Sequence, residues 1–241
     1  MNHHRFFEEL ERVLTRLPQE EENKFRTYFE NAPIDVLNLL SLEKRYADRY
    51  LVEEHEPIER IYILLEGQVK AVDFRVKGSS YEYARFDGVS FLGSMECIFG
   101  EACYMTNIIT VTPCTLVSLP RGAFESWMST DLVALRRETE NMRKTLLENS
   151  RENRMLLLLS GMERLIYLLM KKCRSRGELR EYVLAVNRQE LAEQCGTSVK
   201  TVNRSMKRLE DSGFLTREGH KVKITQRQYA AMHDYLGLIL N

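Results

Sequence analysis

The stretch from Asn187 to Thr225, NRQELAEQCGTSVKTVNRSMKRLEDSGFLTREGHKVKIT, leaves few choices of local structure. Asn187 stands where an N-cap is needed, and Glu190 completes a capping-box-like start for a helix from Arg188. Cys195-Gly196-Thr197 interrupts that helix, and the glycine supplies the positive φ of a sharp helix–helix corner. Ser198 caps a second helix running to about Asp211, with Val202, Met206 and Leu209 on its inward face, where Leu191 and Phe214 meet them. Phe214-Leu215-Thr216, a turn at Glu218-Gly219, and Lys221-Val222-Lys223-Ile224 then read as a β-wing. A helix-turn-helix with a wing is the shape that lays its second helix in a DNA major groove.

The outward face of that helix carries Val199, Lys200, Asn203, Arg204, Lys207 and Arg208. Val199, Lys200, Asn203 and Arg204 form the base-reading set. Arg204 presents a bidentate fork to guanine, Lys200 donates to guanine O6 or N7, and Val199 packs on a thymine methyl. Arg188, Ser198, Thr201 and Lys207, with His220 and Lys221 from the wing, are placed for phosphates, which position without specifying. The charge balance agrees. Residues 160–241 hold 15 Lys/Arg against 9 Asp/Glu, whereas the remainder holds 20 against 26, so a neutral chain has a basic C-terminal third.

The front half follows another rule. Residues 3–30 have helical periodicity, with Pro18 opening a second helix, and a short helix spans Ile34 to Leu40. From Lys44 to Leu119 the pattern shifts to short strands, clearest at Arg60–Leu65, Gln68–Phe74, Tyr81–Phe86, Ile108–Val111 and Thr115–Pro120, punctuated by glycines. Such spacing predicts an antiparallel barrel or jelly roll, with IYILLEGQVKAV as a hairpin turning at Glu66-Gly67.

Helical spacing returns after Gly122. Leu132, Leu135, Thr139, Met142, Leu146, Asn149, Asn153 and Leu156 fall at alternating steps of three and four, a heptad seam with charged flanks that predicts a parallel homodimer. Ser160-Gly161 reads as a hinge before a further helix, Met162–Cys173. The expected fold class is α+β: an N-terminal antiparallel, jelly-roll-like β-roll with leading helices over 1–128, a long dimerisation helix over 129–159, and a winged helix-turn-helix over 160–241.

No apolar run reaches the roughly 18 residues of a membrane span, and charges interrupt the N-terminal apolar pattern, so a cytoplasmic protein is expected. Cys97, Cys103, Cys114, Cys173 and Cys195 form no C-x-x-C pair and no zinc-finger spacing with histidine, so no metal site is read.

With these residues in place, the chain resembles the CRP/FNR family of bacterial transcription regulators over nearly its full length. RQELAEQCGTSVKTVNRSMKRLEDSGFL carries the resemblance most specifically, and IYILLEGQVK is a second match. The resemblance implies a homodimeric allosteric regulator, not an enzyme, whose partners are palindromic double-stranded DNA and RNA polymerase. Cyclic-nucleotide-binding members hold ribose and phosphate with a Gly-Glu pair and a later Arg-Ser pair. Here the corresponding positions read Gly93-Ser94 and Asn107-Ile108. The acidic ribose contact is missing, and Asn107 stands where an arginine would neutralise the phosphate. Tight binding of cAMP or cGMP in the usual way is therefore not expected, and no cofactor is implied. Gly93, Ser94, Asn107 and Ile108, with Asn149 and Ser150 on the dimer helix, remain the effector-pocket candidates.

The recognition helix opens Ser198-Val199-Lys200 rather than Ser-Arg-Glu, which implies an altered half-site. Three other readings stand beside a regulator with an unidentified effector. One is a constitutive regulator whose roll is packed shut by Met95, Ile98, Phe99, Tyr104 and Met105. A second is a redox sensor using Cys97 and Cys103. The third, a cupin-type enzyme, lacks ligands, because only His55 lies in the roll.

Overall fold

The computed structural model describes residues 3–76, 79–177, 179–219 and 221–240. They divide into two compact units, Met1–Asp73 with Tyr83–Asn149, and Phe74–Glu82 with Ser150–Asn241.

In chain order the first elements are α1 (His3–Leu14), α2 (Gln19–Phe29), α3 (Ile34–Leu37), β1 (Ser41–Arg45), β2 (Tyr50–Val52), β3 (Arg60–Glu66), β4 (Gln68–Val76), β5 (Ser79–Asp87) and β6 (Ser90–Leu92). They are followed by α4 (Ser94–Ile98), β7 (Asn107–Thr110), β8 (Cys114–Pro120), α5 (Arg121–Thr130) and α6 (Leu132–Leu158). Two four-stranded sheets, β1-β8-β3-β6 and β2-β7-β4-β5, form the roll. Ile61, Ile63, Leu64, Leu65, Val69, Val72, Leu116, Val117 and Leu119, which alternate between the faces of their strands, are almost wholly buried in one core that the helices share. The leading helices close the core through an aromatic cluster, with Tyr28 at 4.0 Å from Phe91 and Phe29 stacked on Trp127 at 5.5 Å between ring centroids.

The segment read as a hairpin turns at Gly67 as expected, but β3 and β4 belong to different sheets. β3 pairs with β8 and β6, and β4 with β7 and β5. Alternation of apolar residues marks which side chains face inward; it says nothing about the partner strand, so a turn between sheets resembles a hairpin turn in sequence. Gly67 makes the crossing possible. Its φ is +97°, and a Cβ there would lie 2.5 Å from the Pro113 carbonyl oxygen.

The remaining elements are α7 (Gly161–Arg174), β9 (Glu181–Ala185), α8 (Arg188–Cys195), α9 (Val199–Asp211), β10 (Thr216–Glu218), β11 (Lys221–Thr225) and α10 (Gln226–Leu240). α7, α8 and α9 pack around Leu165, Ile166, Leu169, Leu191, Met206 and Leu209, all essentially without solvent contact. β9 adds a third strand to the wing, in the order β10-β11-β9. Its sequence, EYVLA, was hidden among polar neighbours. Among the described residues no helix is long and apolar enough to cross a membrane.

Gly67→Ala is expected to lower stability by more than about 2 kcal/mol, because a disfavoured backbone conformation and a backbone clash add together. Urea denaturation with an unchanged slope checks this.

Candidate nucleic-acid interface

The helix-turn-helix is set by its caps. Asn187 Oδ1 accepts hydrogen bonds from Gln189 N at 2.9 Å and Glu190 N at 3.3 Å, stabilisation of about 1 kcal/mol. The expected reciprocal half of the box differs. The Glu190 carboxylate turns to Lys172 Nζ at 3.3 Å, since an ammonium partner outweighs a neutral amide. Gly196 ends α8 in the left-handed region with φ 60° and ψ 41°. Ser198 Oγ then caps α9, accepting from Thr201 N at 3.1 Å.

α9 is divided along its length. Val202, Ser205, Met206 and Leu209 are buried, and each large apolar side chain contributes roughly 1.5–3 kcal/mol. Lys200, Asn203, Arg204, Lys207 and Arg208 are exposed. Val199, expected on the outward face, is half-buried and packs against the core of this unit. Ser198 and Thr201 are joined by a 3.0 Å contact between their hydroxyls. Lys221 is exposed on β11, and His220 lies outside the described residues.

Three basic side chains elsewhere in this unit have carboxylate partners, Lys172 among them. Lys223 pairs with Glu181 at 3.1 Å, and Arg217 Nε with Glu210 Oε2 at 2.6 Å. By contrast, among the described residues Lys200, Arg204, Lys207 and Arg208 make no ion pair. Arg188, at the first turn of α8, has a buried Nη1 with no hydrogen-bond partner. Burial, then the neighbouring Arg217 guanidinium, lowers its pKa. A buried cationic donor beside a second cation is a place where an anion would be stabilised. Arg217 was not singled out from the sequence. Its only signal there was a basic residue at the start of the wing.

In the roll, the predicted pocket residues are spent on internal contacts. Gly93 has φ +84°, and a Cβ there would lie 3.0 Å from the Tyr104 ring. Ser94 is buried, and its Oγ donates to Glu138 Oε1 on α6 at 2.5 Å. Asn107 Oδ1 accepts from Glu54 N at 3.1 Å. Ile108 is buried in the core opposite Val52 and Ala71. Ser150 is exposed, and the Asn149 side chain lies outside the described residues. Of the five apolar residues expected to fill the roll, Tyr104 is buried and Met95 and Ile98 are half-buried. Phe99 and Met105 point to solvent instead, at 66% and 58% exposure.

Cys97 is buried on α4 and its Sγ donates to Glu125 Oε1 at 3.5 Å. Burial, then the Glu125 carboxylate, pushes the thiol up to about 12, so the reactive thiolate is scarce at neutral pH. Cys103 is half-buried.

The seam positions on α6 split. Leu132 and Leu146 are 70% and 51% exposed, with Thr139 exposed between them. Leu135 packs on the roll core and Met142 is buried within the chain. The side chain of Asn153 lies outside the described residues. Ala134, Glu138 and Met142, four residues apart, make the buried stripe.

Comparison with known proteins agrees with this layout. Residues 43–131 match the cyclic nucleotide-binding domain, and residues 163–231 match the Crp-like helix-turn-helix domain. Among functionally curated proteins none matches the chain. Solved structures share its fold. The c-di-GMP-responsive global regulator CLP of Xanthomonas campestris superposes with a TM-score of 0.71 at 18% identity, covering 86% of this chain and 99% of that one. A Crp/Fnr-family regulator of Eubacterium rectale gives 0.71 at 12% identity over 92% and 97%. FixK2 of Bradyrhizobium japonicum gives 0.63 at 19% identity over 81% and 96%. The two domains in this order define a DNA-binding regulator rather than an enzyme. The chain belongs to the CRP/FNR family of transcription regulators.

Glu138 gives the roll a pH dependence. Its carboxyl is 1% exposed, and burial raises its pKa. Ser94 on α4, Tyr28 and Lys24 on α2 and Asn141 on α6 pull the other way without cancelling the shift. An acid with a raised folded pKa holds its proton more tightly when folded. Its stability contribution is therefore complete below the unfolded value of about 4.3 and is lost as pH rises through the folded one. Glu138→Gln keeps an acceptor for Ser94 and cannot ionise. It is expected to melt near wild type at pH 4 and above wild type at pH 8, in thermal scans at both pH values.

Proposed function

We propose that the protein is a homodimeric, sequence-specific regulator that reads a palindromic site with α9. Two recognition helices would enter successive major grooves about 34–36 Å apart. The observation that carries this reading is the row of exposed, unneutralised cations on α9, backed by a fully buried apolar face. Lys172, Arg217 and Lys223 in the same unit have acidic partners, whereas among the described residues the four cations along this one helix face have none, a clustering that suits a polyanion. In this reading Lys200, Asn203 and Arg204 address base edges, with Val199 at the edge of the set. Arg188, Ser198, Thr201, Lys207 and Lys221 hold phosphates, and His220 extends that set along the wing. Leu132, Thr139 and Leu146 face the second protomer, and RNA polymerase is a further partner.

The controlling effector is one other than cAMP or cGMP. Ser94 and Asn107, at the positions that would meet ribose and phosphate, are bonded to Glu138 and Glu54 N, and no arginine stands at the phosphate position. The same bonds favour a second reading, a roll sealed by its own side chains and a regulator active without a ligand. Redox control through Cys97 fits poorly with a thiol held protonated.

Selection from random duplex DNA at two salt concentrations tests the reading. A palindrome unaffected by cAMP is expected, and its recovery without any ligand favours the second reading; sequence-blind binding under every condition would overturn the proposal. Arg204→Ala is expected to cost about 1–3 kcal/mol at the preferred site and to relax one base position. Lys207→Ala should weaken all sequences alike and reduce the salt slope by about one. Fluorescence anisotropy titrations across salt concentrations separate the two.

A further inference from the structure

The junction between α6 and the DNA-binding unit was expected to be a hinge at Ser160-Gly161. The structure places a capped helix start there, tied by hydrogen bonds. Ser160 caps α7 with a full capping box, its Oγ accepting from Glu163 N and Glu163 returning to Ser160 N at 2.6 Å. Gly161 is the first residue of α7, with no positive φ and open space for a side chain beyond Thr201 at 3.7 Å. Leu156 and Leu159, in and just after the last turn of α6, are buried in the same core as Val202 and Met206. The boundary between the two compact units falls earlier, at Asn149 and Ser150 within α6.

One side chain spans this junction. Arg164 Nε donates to Leu156 O at 2.8 Å and Leu159 O at 3.0 Å, and its Nη1 donates to Cys195 O at 3.1 Å. The first two carbonyls lie in and just after the last turn of α6, where i→i−4 donors run out and, among the described residues, Leu156 O otherwise accepts only from Leu159 N at 3.2 Å. The third ends α8, immediately before the left-handed corner at Gly196. A guanidinium is suited to this task because its donors are fixed in a planar fork and its charge favours helix C-termini.

We infer that Arg164 is the positioning residue that locks the end of α6 to the helix-turn-helix corner, and so sets the spacing of the half-sites the dimer accepts. The inference rests on the dimeric DNA-reading function proposed above. With the brace in place, the last turns of α6 and the recognition helix move as one body. Without it, each recognition helix rocks about the Ser160-Gly161 bend while its base-reading side chains stay intact.

The test uses the full chain as wild type, Arg164→Gln and Arg164→Lys in the same random-duplex selection, with thermal melts alongside. Arg164→Gln should keep the half-site sequence. It should also lose at least tenfold in discrimination between the preferred spacing and one changed by a base pair. Arg164→Lys should recover the melting temperature but not the spacing preference, because an ammonium on a flexible stem does not fix the three carbonyls as a planar guanidinium fork does. Wild-type spacing stringency in both variants overturns the inference. A second readout is the distance distribution between spin labels at Asp211→Cys in the two protomers, on a Cys103→Ser background. Broadening in Arg164→Gln supports the brace, and unchanged width overturns it. If wild type selects no palindrome, the DNA-reading proposal fails, and the label distribution still decides the brace.

Discussion

A helix that binds a polyanion must keep its cations free of carboxylates, and in a chain with as many acids as bases that freedom has to be built. Here it follows from burying the opposite face of α9. Val202, Met206 and Leu209 insert among Leu165, Ile166, Leu169 and Leu191 and fix the rotation of the helix, so the outward positions meet solvent rather than an acidic neighbour. Acids of this unit are engaged elsewhere: Glu190 by Lys172, Glu210 by Arg217, Glu181 by Lys223. The electrostatics of the interface thus depend on apolar packing.

The same economy operates in the roll. A crossing at Gly67 sends β3 and β4 into facing sheets and encloses the core between them. α4 and α6 then meet over Ser94 and Glu138. There a hydroxyl bonds a buried acid. Fold likeness at 12–19% identity speaks to architecture and not to the signal, because the ligand chemistry of a shared fold rests on individual side chains.

Local signals were legible wherever a residue type has one dominant reason to stand in its place. Asn187, Gly196 and Ser198 announced the two helices, and the apolar spacing of Val202, Met206 and Leu209 announced which face is buried. The strands at Arg60, Gln68, Tyr81, Asn107 and Cys114 were readable within a residue or two. β1, β2, β6 and β9 were not, because they are short or carry charged residues that only the neighbouring strand makes tolerable. α4 was hidden too, since five residues are too few to show a helical period.

What the sequence by itself determined is the longer elements, their order and the buried faces of α8 and α9, because these follow from spacing of apolar residues and from caps and turns acting over a few positions. Tertiary structure alone decided which strands pair, that Ser94 and Asn107 turn inward, that Glu138 is buried, and that Arg164 joins the end of α6 to Cys195, a residue 31 positions further along the chain from the arginine. Those outcomes depend on partners brought together by folding. A hydrogen bond or a desolvated charge has no local pattern until its partner arrives.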